Sequence, residues 1–176
     1  MIKHIRGALL NPNANGFTFH SDALITIVDG KIASVTDTPA NTDIPVTHPE
    51  CILLPGFTDS HIHFPQTKVC GSASGPLLPW LEKTVFPEES KFSSFEYASH
   101  TAEIFCSNLI RHGVCSAAVY SSSHSTSTEV LFKNLQQVGL KGLAGMTLMN
   151  RNAPQELLFD VGYVTERLHQ QIEKWH

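Results

Sequence analysis

Two histidines separated by one residue, His61 and His63, are the side chains in this sequence best suited to share a metal ion. Alternate side chains of a β-strand point to the same face, so both imidazoles would face one way and Ile62 the other. Zinc accepts imidazole nitrogens at about 2.0–2.1 Å, which two neighbouring side chains can satisfy together. The spacing equally fits two polar residues at a strand end or in a solvated loop, so it leaves the metal-binding and the structural interpretations open.

The residues around this pair indicate the element that would position it. Residues 57–63 read as a strand, and ligands of α/β folds bind at the carboxyl ends of strands, where both histidines fall. Asp59 shares their face and is a candidate to orient a ligand imidazole, although a strand carboxylate equally bonds nearby backbone.

Alternating strands and helices are predicted from Cys51 onward. Strands at 52–54 and 57–63 are followed by a predicted loop at 64–90, rich in Gly, Ser and Pro. The later predicted elements are a helix opened by Ser93-x-x-Glu96 and ended by Gly113, a strand at 114–120, a helix opened by Thr126-x-x-Glu129 and ended by Gly139, a strand at 141–149 and a helix at 165–176. In the first of these helices, apolar residues recur at helical spacing at Ala98, Ala102, Phe105 and Leu109.

The first 50 residues have a different character. Extended segments are predicted at 16–20, 23–28 and 31–35, and Asp29-Gly30 between the last two predicts a tight hairpin. A linker rich in Thr, Pro, Asn and Asp follows. We therefore expect two domains, a small partial β-sandwich at 1–50 and an α/β domain at 51–176.

Three β-α steps predict a parallel sheet, either open and doubly wound or part of a (β/α)8 barrel. A complete barrel takes about 250 residues, so a chain of 176 residues would hold only its first three β-α units. The last helix reaches Trp175-His176 without a glycine cap, which is typical of a barrel truncated within the fold.

Composition limits the classes of partner. With 12 Lys and Arg against 16 Asp and Glu, the net charge of −4 argues against a nucleic acid or a membrane surface and favours a small molecule. No secretory signal or bilayer-spanning stretch is recognised. The four cysteines lack a Cys-x-x-Cys pair, which is typical of reduced thiols, and we expect a cytoplasmic protein.

Residues 54–63, Leu-Pro-Gly-Phe-Thr-Asp-Ser-His-Ile-His, resemble the first-strand signature of the amidohydrolase superfamily. Its members are metal-dependent hydrolases with a (β/α)8 barrel and an appended β-sandwich. The segments 64–66, 77–82, 86–89 and 148–154 look like the guanine deaminase family within it.

This resemblance implies hydrolysis of guanine to xanthine and ammonia, one Zn²⁺ per complete site and a homodimer. It makes His61 and His63 zinc ligands, and the stretch His63-Phe64-Pro65-Gln66 would line the guanine site. The Gln66 carboxamide both donates and accepts, as the mixed polar edge of a purine requires. Trp80 is a candidate to stack on the purine, although an aromatic residue in an apolar patch is more often part of the core.

In the family, a general acid/base glutamate, further histidine ligands and a metal-binding aspartate lie on later strands. The resemblance therefore places these groups beyond His176, and we expect the chain alone to be inactive. Such a half-site would bind zinc weakly.

Five further histidine, arginine and asparagine positions are weaker candidates for site residues. His124 follows the second strand of the α/β domain, and loop polarity is the favoured interpretation for it. Arg151 and Asn152 follow the third strand and could line the same mouth, although polar loop residues more often cap helices or meet solvent. His100 and His112 fall in the first long helix and are expected to be structural. The sequence leaves the roles of His124, Arg151 and Asn152 open.

Two alternatives to a guanine deaminase remain. One is a related amidohydrolase that acts on another aminopurine or a triazine. The other is a non-catalytic truncated product that unfolds or binds a partner, because half a barrel leaves strand edges and apolar helix faces uncovered.

Overall fold

Three antiparallel strands form most of the first of two units in the computed structural model, which describes residues 1–176. This unit, Met1–Pro55, holds a four-stranded sheet in the order β3-β2-β1-β4. Its strands are β1 (Ile2–Asn13), β2 (Gly16–Val28), β3 (Lys31–Asp37) and β4 (Ile52–Leu53). Leu9, Ala23 and Ile25 are its buried apolar residues.

The hairpin predicted at Asp29-Gly30 is confirmed. Val28 pairs with Lys31, and both turn residues have positive φ, 49° for Asp29 and 79° for Gly30. A two-residue turn of this kind requires positive φ at both positions, which glycine adopts without steric cost.

Three expectations for this region were wrong in detail. The strand β1 (Ile2–Asn13) was not predicted, and β2 is one continuous strand where two short segments were expected. The strand β4 pairs with β1, at Ala8↔Ile52, and so belongs to the first sheet and not to the α/β unit. Strand pairing over more than forty residues leaves no local signal in the sequence that would assign β4 to its partner.

The second unit, Gly56–His176, contains a parallel sheet in the order β5-β6-β7. Its strands are β5 (Phe57–His63), β6 (Val114–Tyr120) and β7 (Lys141–Gly145). The first two match the predicted strands residue for residue, and β7 ends four residues before the predicted Met149. The sheet is not closed, and the predicted α/β class is confirmed.

Helices α3 (Phe95–Arg111) and α4 (Ser125–Val138) connect these parallel strands. The predicted inner face of α3 is confirmed, since Ala98, Ala102, Phe105 and Leu109 are all buried. Its cap lies one residue later than predicted: Ser94 Oγ accepts a hydrogen bond from the Tyr97 N–H at 3.3 Å.

The segment predicted as a long loop is mostly helical. It contains a 3-10 turn (Phe64–Gln66), α1 (Leu77–Trp80), a π-helical turn (Leu81–Val85) and α2 (Phe86–Ser90), and a second 3-10 turn (Lys91–Ser93) follows it. Pro87 directly follows the π-helical turn, where the hydrogen-bond pattern of the continuous helix changes. Pro65 lies in the first turn of its helix, after the extended His63. Proline is tolerated there because the first N–H groups of a helix have no partner within it.

The remaining helix starts also differ from the prediction. His124, not Thr126, precedes α4, and α5 (Val161–Trp175) begins four residues earlier than predicted. Asp160 caps α5 by accepting the Tyr163 N–H at 3.0 Å. None of the helices has both the length and the apolar character that a bilayer crossing requires.

Candidate functional site

The two histidine side chains converge at the carboxyl end of β5. Their Nε2 atoms lie 3.3 Å apart, and their ring centroids are separated by 5.1 Å. The strand is irregular just before them, because the pairing with β6 shifts between Asp59↔Ala117 and Ile62↔Val119. The structure thus brings both imidazoles of the sequence motif to one point, where two nitrogen atoms face the same space.

The electrostatic surroundings favour neutral imidazole at His63. Partial burial lowers the pKa of His63, and the neighbouring His61 lowers it further by charge repulsion. A neutral imidazole keeps a lone pair on one ring nitrogen, which is the form that binds a metal ion.

Asp59 makes no hydrogen bond to either imidazole ring. Its Oδ1 accepts a hydrogen bond from the backbone N–H of His61 at 3.1 Å. Of the two roles considered from the sequence, the structure gives the carboxylate the backbone one, in which it stabilises the irregular turn of the strand just before the histidine pair.

A cavity of about 970 Å³ opens beside the pair. His61, His63, Gln66 and Trp80 all line it. Apolar side chains from several elements complete the wall, among them Leu77, Leu81, Phe105 and Leu109. The Trp80 Nε1–H points to Ser72 Oγ at 3.4 Å, which ties the indole to the loop beside it. Four of the six residues predicted for the metal and purine site therefore share one space.

Phe64 and Pro65 occupy a different position. Both are buried, and neither lines the cavity. The Phe64 ring packs against Phe92 at 4.9 Å and Phe105 at 5.4 Å between centroids. These two residues anchor the turn that carries Gln66 into the core of the unit, and a contact with substrate stays a prediction.

Tyr120 is a neighbour of the histidine pair that was not among the site residues predicted from the sequence. It is paired with His63 across the sheet, and its ring centroid lies 4.8 Å from that of each histidine. A signal was present, because Tyr120 ends the predicted strand next to the one that ends at His63. Carboxyl ends of neighbouring parallel strands meet at one edge of the sheet.

His124 lies in a separate, smaller cavity of about 270 Å³, together with Ser123, Glu156 and Asp160. Its Nε2 atom is buried without a hydrogen-bond partner, and burial lowers its pKa. It does not line the cavity of the histidine pair.

Of the remaining candidates, His112 alone lines the cavity beside the histidine pair. Arg151 and Asn152 are exposed and line neither cavity, and His100 is exposed on α3. His112 lines the larger cavity while its Nδ1 contacts the Asn108 carbonyl at 2.8 Å. That contact fits the structural role expected for His112 at the end of α3.

The donor set for a metal ion is limited to the pair. No group of three or more His, Cys, Asp and Glu side chains in the chain is arranged to hold a metal ion. Two imidazole nitrogens, a carboxamide and an aromatic wall around one cavity are the chemical groups that this arrangement offers to a ligand.

Comparison with known proteins supports the sequence resemblance. The chain is 31% identical to guanine deaminase of Escherichia coli, an alignment that covers 99% of this chain and 43% of that relative. Guanine deaminase of Dictyostelium discoideum is 35% identical over 103 residues, which cover 58% of this chain and 23% of that relative.

Solved structures show the same similarity. Guanine deaminase from Bradyrhizobium japonicum superposes with a TM-score of 0.92 at 30% identity, over 100% of this chain and 41% of that one. The enzyme from C. acetobutylicum with bound guanine gives a TM-score of 0.89 at 31% identity, over 99% and 43% of the two chains. The chain spans less than half the length of these relatives. The amidohydrolase family model matches residues 52–176, and the chain therefore belongs to the amidohydrolase family.

Proposed function

We propose that this chain contributes the first part of the active site of a zinc-dependent guanine deaminase, which hydrolyses guanine to xanthine and ammonia. The observation that carries the proposal is the convergence of His61 and His63 at a cavity that Gln66 and Trp80 also line. The similar proteins named guanine deaminase, one of them with guanine in its active site, support this choice of substrate.

The spacing of the two nitrogens fits a tetrahedral zinc ion. Two ligands at about 2.0–2.1 Å from zinc, separated by the tetrahedral angle, lie about 3.3 Å from each other. The two Nε2 atoms are 3.3 Å apart. His61 and His63 would hold the ion with these atoms, and zinc supplies a Lewis acid that makes water a nucleophile at neutral pH.

The other lining residues would bind and orient the purine. Guanine carries donors and acceptors along one edge, and the Gln66 carboxamide offers one of each. Trp80 presents an aromatic ring that can cover the face of a flat heterocycle. Phe64 and Pro65, buried below, hold the turn that carries Gln66 in place.

We infer that β5, β6 and β7 are the first three strands of a (β/α)8 barrel, and that the first sheet is part of a β-sandwich domain. The division into these two domains is part of the same proposal, with β4 in the first of them. The general acid/base and the remaining zinc ligands would then come from strands outside this sheet, because no third His, Cys, Asp or Glu side chain joins the pair in an arrangement that could hold a metal ion. The isolated chain would bind zinc weakly and release no ammonia.

Zinc binding and purine binding test these roles separately. The chain contains two tryptophans, so Trp175→Phe leaves Trp80 as the single fluorescent reporter at the cavity. We expect guanine to quench this fluorescence, and Gln66→Ala to weaken the binding. Quenching by other aminopurines or a triazine, but not by guanine, would favour the related amidohydrolase.

Equilibrium dialysis against ⁶⁵Zn²⁺ measures the metal site. His61→Ala and His63→Ala should each lower zinc binding, whereas His100→Ala, an exposed histidine on α3, is the matched control and should not. Equal binding by His61→Ala and the unaltered chain would refute the assignment of the ligands. Ammonia release from guanine by the chain alone would show that it assembles a complete site.

A further inference from the structure

We propose that Tyr120 is a positioning residue of this metal site, whose ring holds the imidazoles of His63 and His61 in the orientation that binds the ion. The inference rests on the proposed function, because it takes the two histidines to be ligands. It concerns a residue on β6, whereas both proposed ligands lie on β5.

The ring of Tyr120 contacts both imidazole rings. The rings of Tyr120 and His63 are stacked with an interplanar angle of 14° and a centroid distance of 4.8 Å. His61 contacts the same tyrosine ring at 4.8 Å with its plane tilted by 53°. One aromatic ring therefore touches both imidazoles, and the parallel register His63↔Tyr120 fixes its place beside them.

The hydrogen bonds of the histidines show why such a contact matters. A metal-binding histidine is normally oriented by a hydrogen bond from its other ring nitrogen to a carboxylate, a carbonyl or water. Here the one hydrogen bond of either side chain joins the two Nε2 atoms, and Asp59, the nearest carboxylate on the strand, bonds to backbone. Neither Nδ1 atom has a protein partner that would fix the ring plane.

Stacking on Tyr120 takes over that role. A flat ring against one face of His63 restricts rotation about its Cβ–Cγ bond, and the tilted contact with His61 restricts the second ring. Aromatic contacts of this kind contribute a modest amount beyond area burial. Their loss leaves both ligands in place but free to rotate, so the entropy cost of metal binding rises.

The test compares Co²⁺ binding, followed by its visible absorption, in two variants at this position. Tyr120→Leu removes the ring and should weaken Co²⁺ binding by about 3- to 10-fold. Tyr120→Phe keeps the ring and should remain within about 2-fold of the unaltered chain. Tyr163→Leu, which removes an exposed tyrosine on α5, is the matched control and should leave binding unchanged.

The outcomes distinguish the role of Tyr120 from the proposed metal site itself. If Tyr120→Leu binds Co²⁺ as tightly as the unaltered chain while His61→Ala loses binding, the metal site stands and the role of Tyr120 is refuted. If the unaltered chain and His61→Ala bind Co²⁺ equally, the proposed metal site fails and this inference fails with it.

NMR of the unaltered chain and of Tyr120→Phe provides a second measurement that does not depend on metal binding or on the folding of the leucine variant. We expect nuclear Overhauser effects between the ring protons of residue 120 and those of His63 in both proteins. We also expect the His63 ring protons to resonate upfield of those of the exposed His100. Absence of both signatures from the folded chain would overturn the proposal.

Discussion

The buried carboxyl group of Glu89 should make the stability of this chain depend on pH in an unusual direction. Glu89 lies on α2 and is 7% exposed, and its Oε1 atom has no hydrogen-bond partner. Burial raises the pKa of Glu89 to about 7, although a hydrogen bond from the Ser123 backbone acts in the opposite direction. The charged form is therefore disfavoured in the folded chain.

The direction of the pH dependence follows from the pKa of Glu89 in the folded and in the unfolded chain. The unfolded chain releases this proton near pH 4.5, whereas the folded chain retains it up to about pH 7. Between these values the folded state binds more protons, so the free energy of unfolding falls as pH rises. The raised pKa costs about 1 kcal/mol at pH 5 and about 3 kcal/mol at pH 8, relative to a side chain that never ionises.

Glu89→Gln removes the titration while keeping an acceptor for the Ser123 N–H. We compare the free energy of unfolding of the variant with that of the unaltered chain. The difference in favour of the variant should be about 2 kcal/mol larger at pH 8 than at pH 5. Urea unfolding followed by circular dichroism at both values measures this difference. Any strain from the amide group changes the free energy of unfolding equally at both pH values, so it cancels when the two values are compared.

Glu103→Gln is the matched control, because Glu103 is an exposed glutamate on α3. It should show little change with pH relative to the unaltered chain. If the stability difference between Glu89→Gln and the unaltered chain is the same at pH 5 and pH 8, the carboxyl group is not held protonated by burial and the reasoning is refuted.

Three further substitutions test packing and capping, each by urea unfolding. A Cβ atom at Gly56 would lie 2.0 Å from Cys115 Sγ, so Gly56→Ala should cost about 1–3 kcal/mol, and Cys115→Gly should recover part of that loss. Ser94→Ala should cost about 1 kcal/mol by removing the α3 cap, whereas equal losses in Ser93→Ala would contradict that assignment. Leu131→Ala should cost about 3–5 kcal/mol, because this side chain is fully buried in the core of the second unit and would leave a cavity; a loss under 1 kcal/mol would contradict its placement there.

Signals contained in a few consecutive residues were sufficient for part of the fold. The strands Phe57–His63 and Val114–Tyr120 and the buried face of α3 were predicted from local apolar patterns. The left-handed Gly139, with φ of 74°, ends α4 as predicted, because glycine adopts this conformation without a Cβ penalty. Each of these features depends on residues close together in sequence.

Prediction failed where distant residues decide the structure. The region 64–90 has the composition of a loop, yet several short helices form there against the core that contains Phe64 and Phe92. In the same way, β4 contains two residues, and pairing with β1 alone makes it a strand. Burial of Glu89 is also set by its neighbours, since a glutamate in a polar segment predicts solvent exposure.

The candidate site likewise has features that the sequence predicts and features that depend on distant residues. The sequence placed His61 and His63 on one strand and Gln66 just after it, which is enough to predict a shared space but not its distances. The 3.3 Å between the Nε2 atoms depends on the irregular pairing of β5 with β6, and the contact with Tyr120 depends on their parallel register. Because β6 both shapes the bend that brings the imidazoles together and supplies the ring that touches them, the metal-binding geometry belongs to the strand pair. A peptide containing only residues 54–66 would keep the ligands and lose that geometry, so it should bind Co²⁺ more weakly than the folded chain; equal affinity would show that the motif alone suffices.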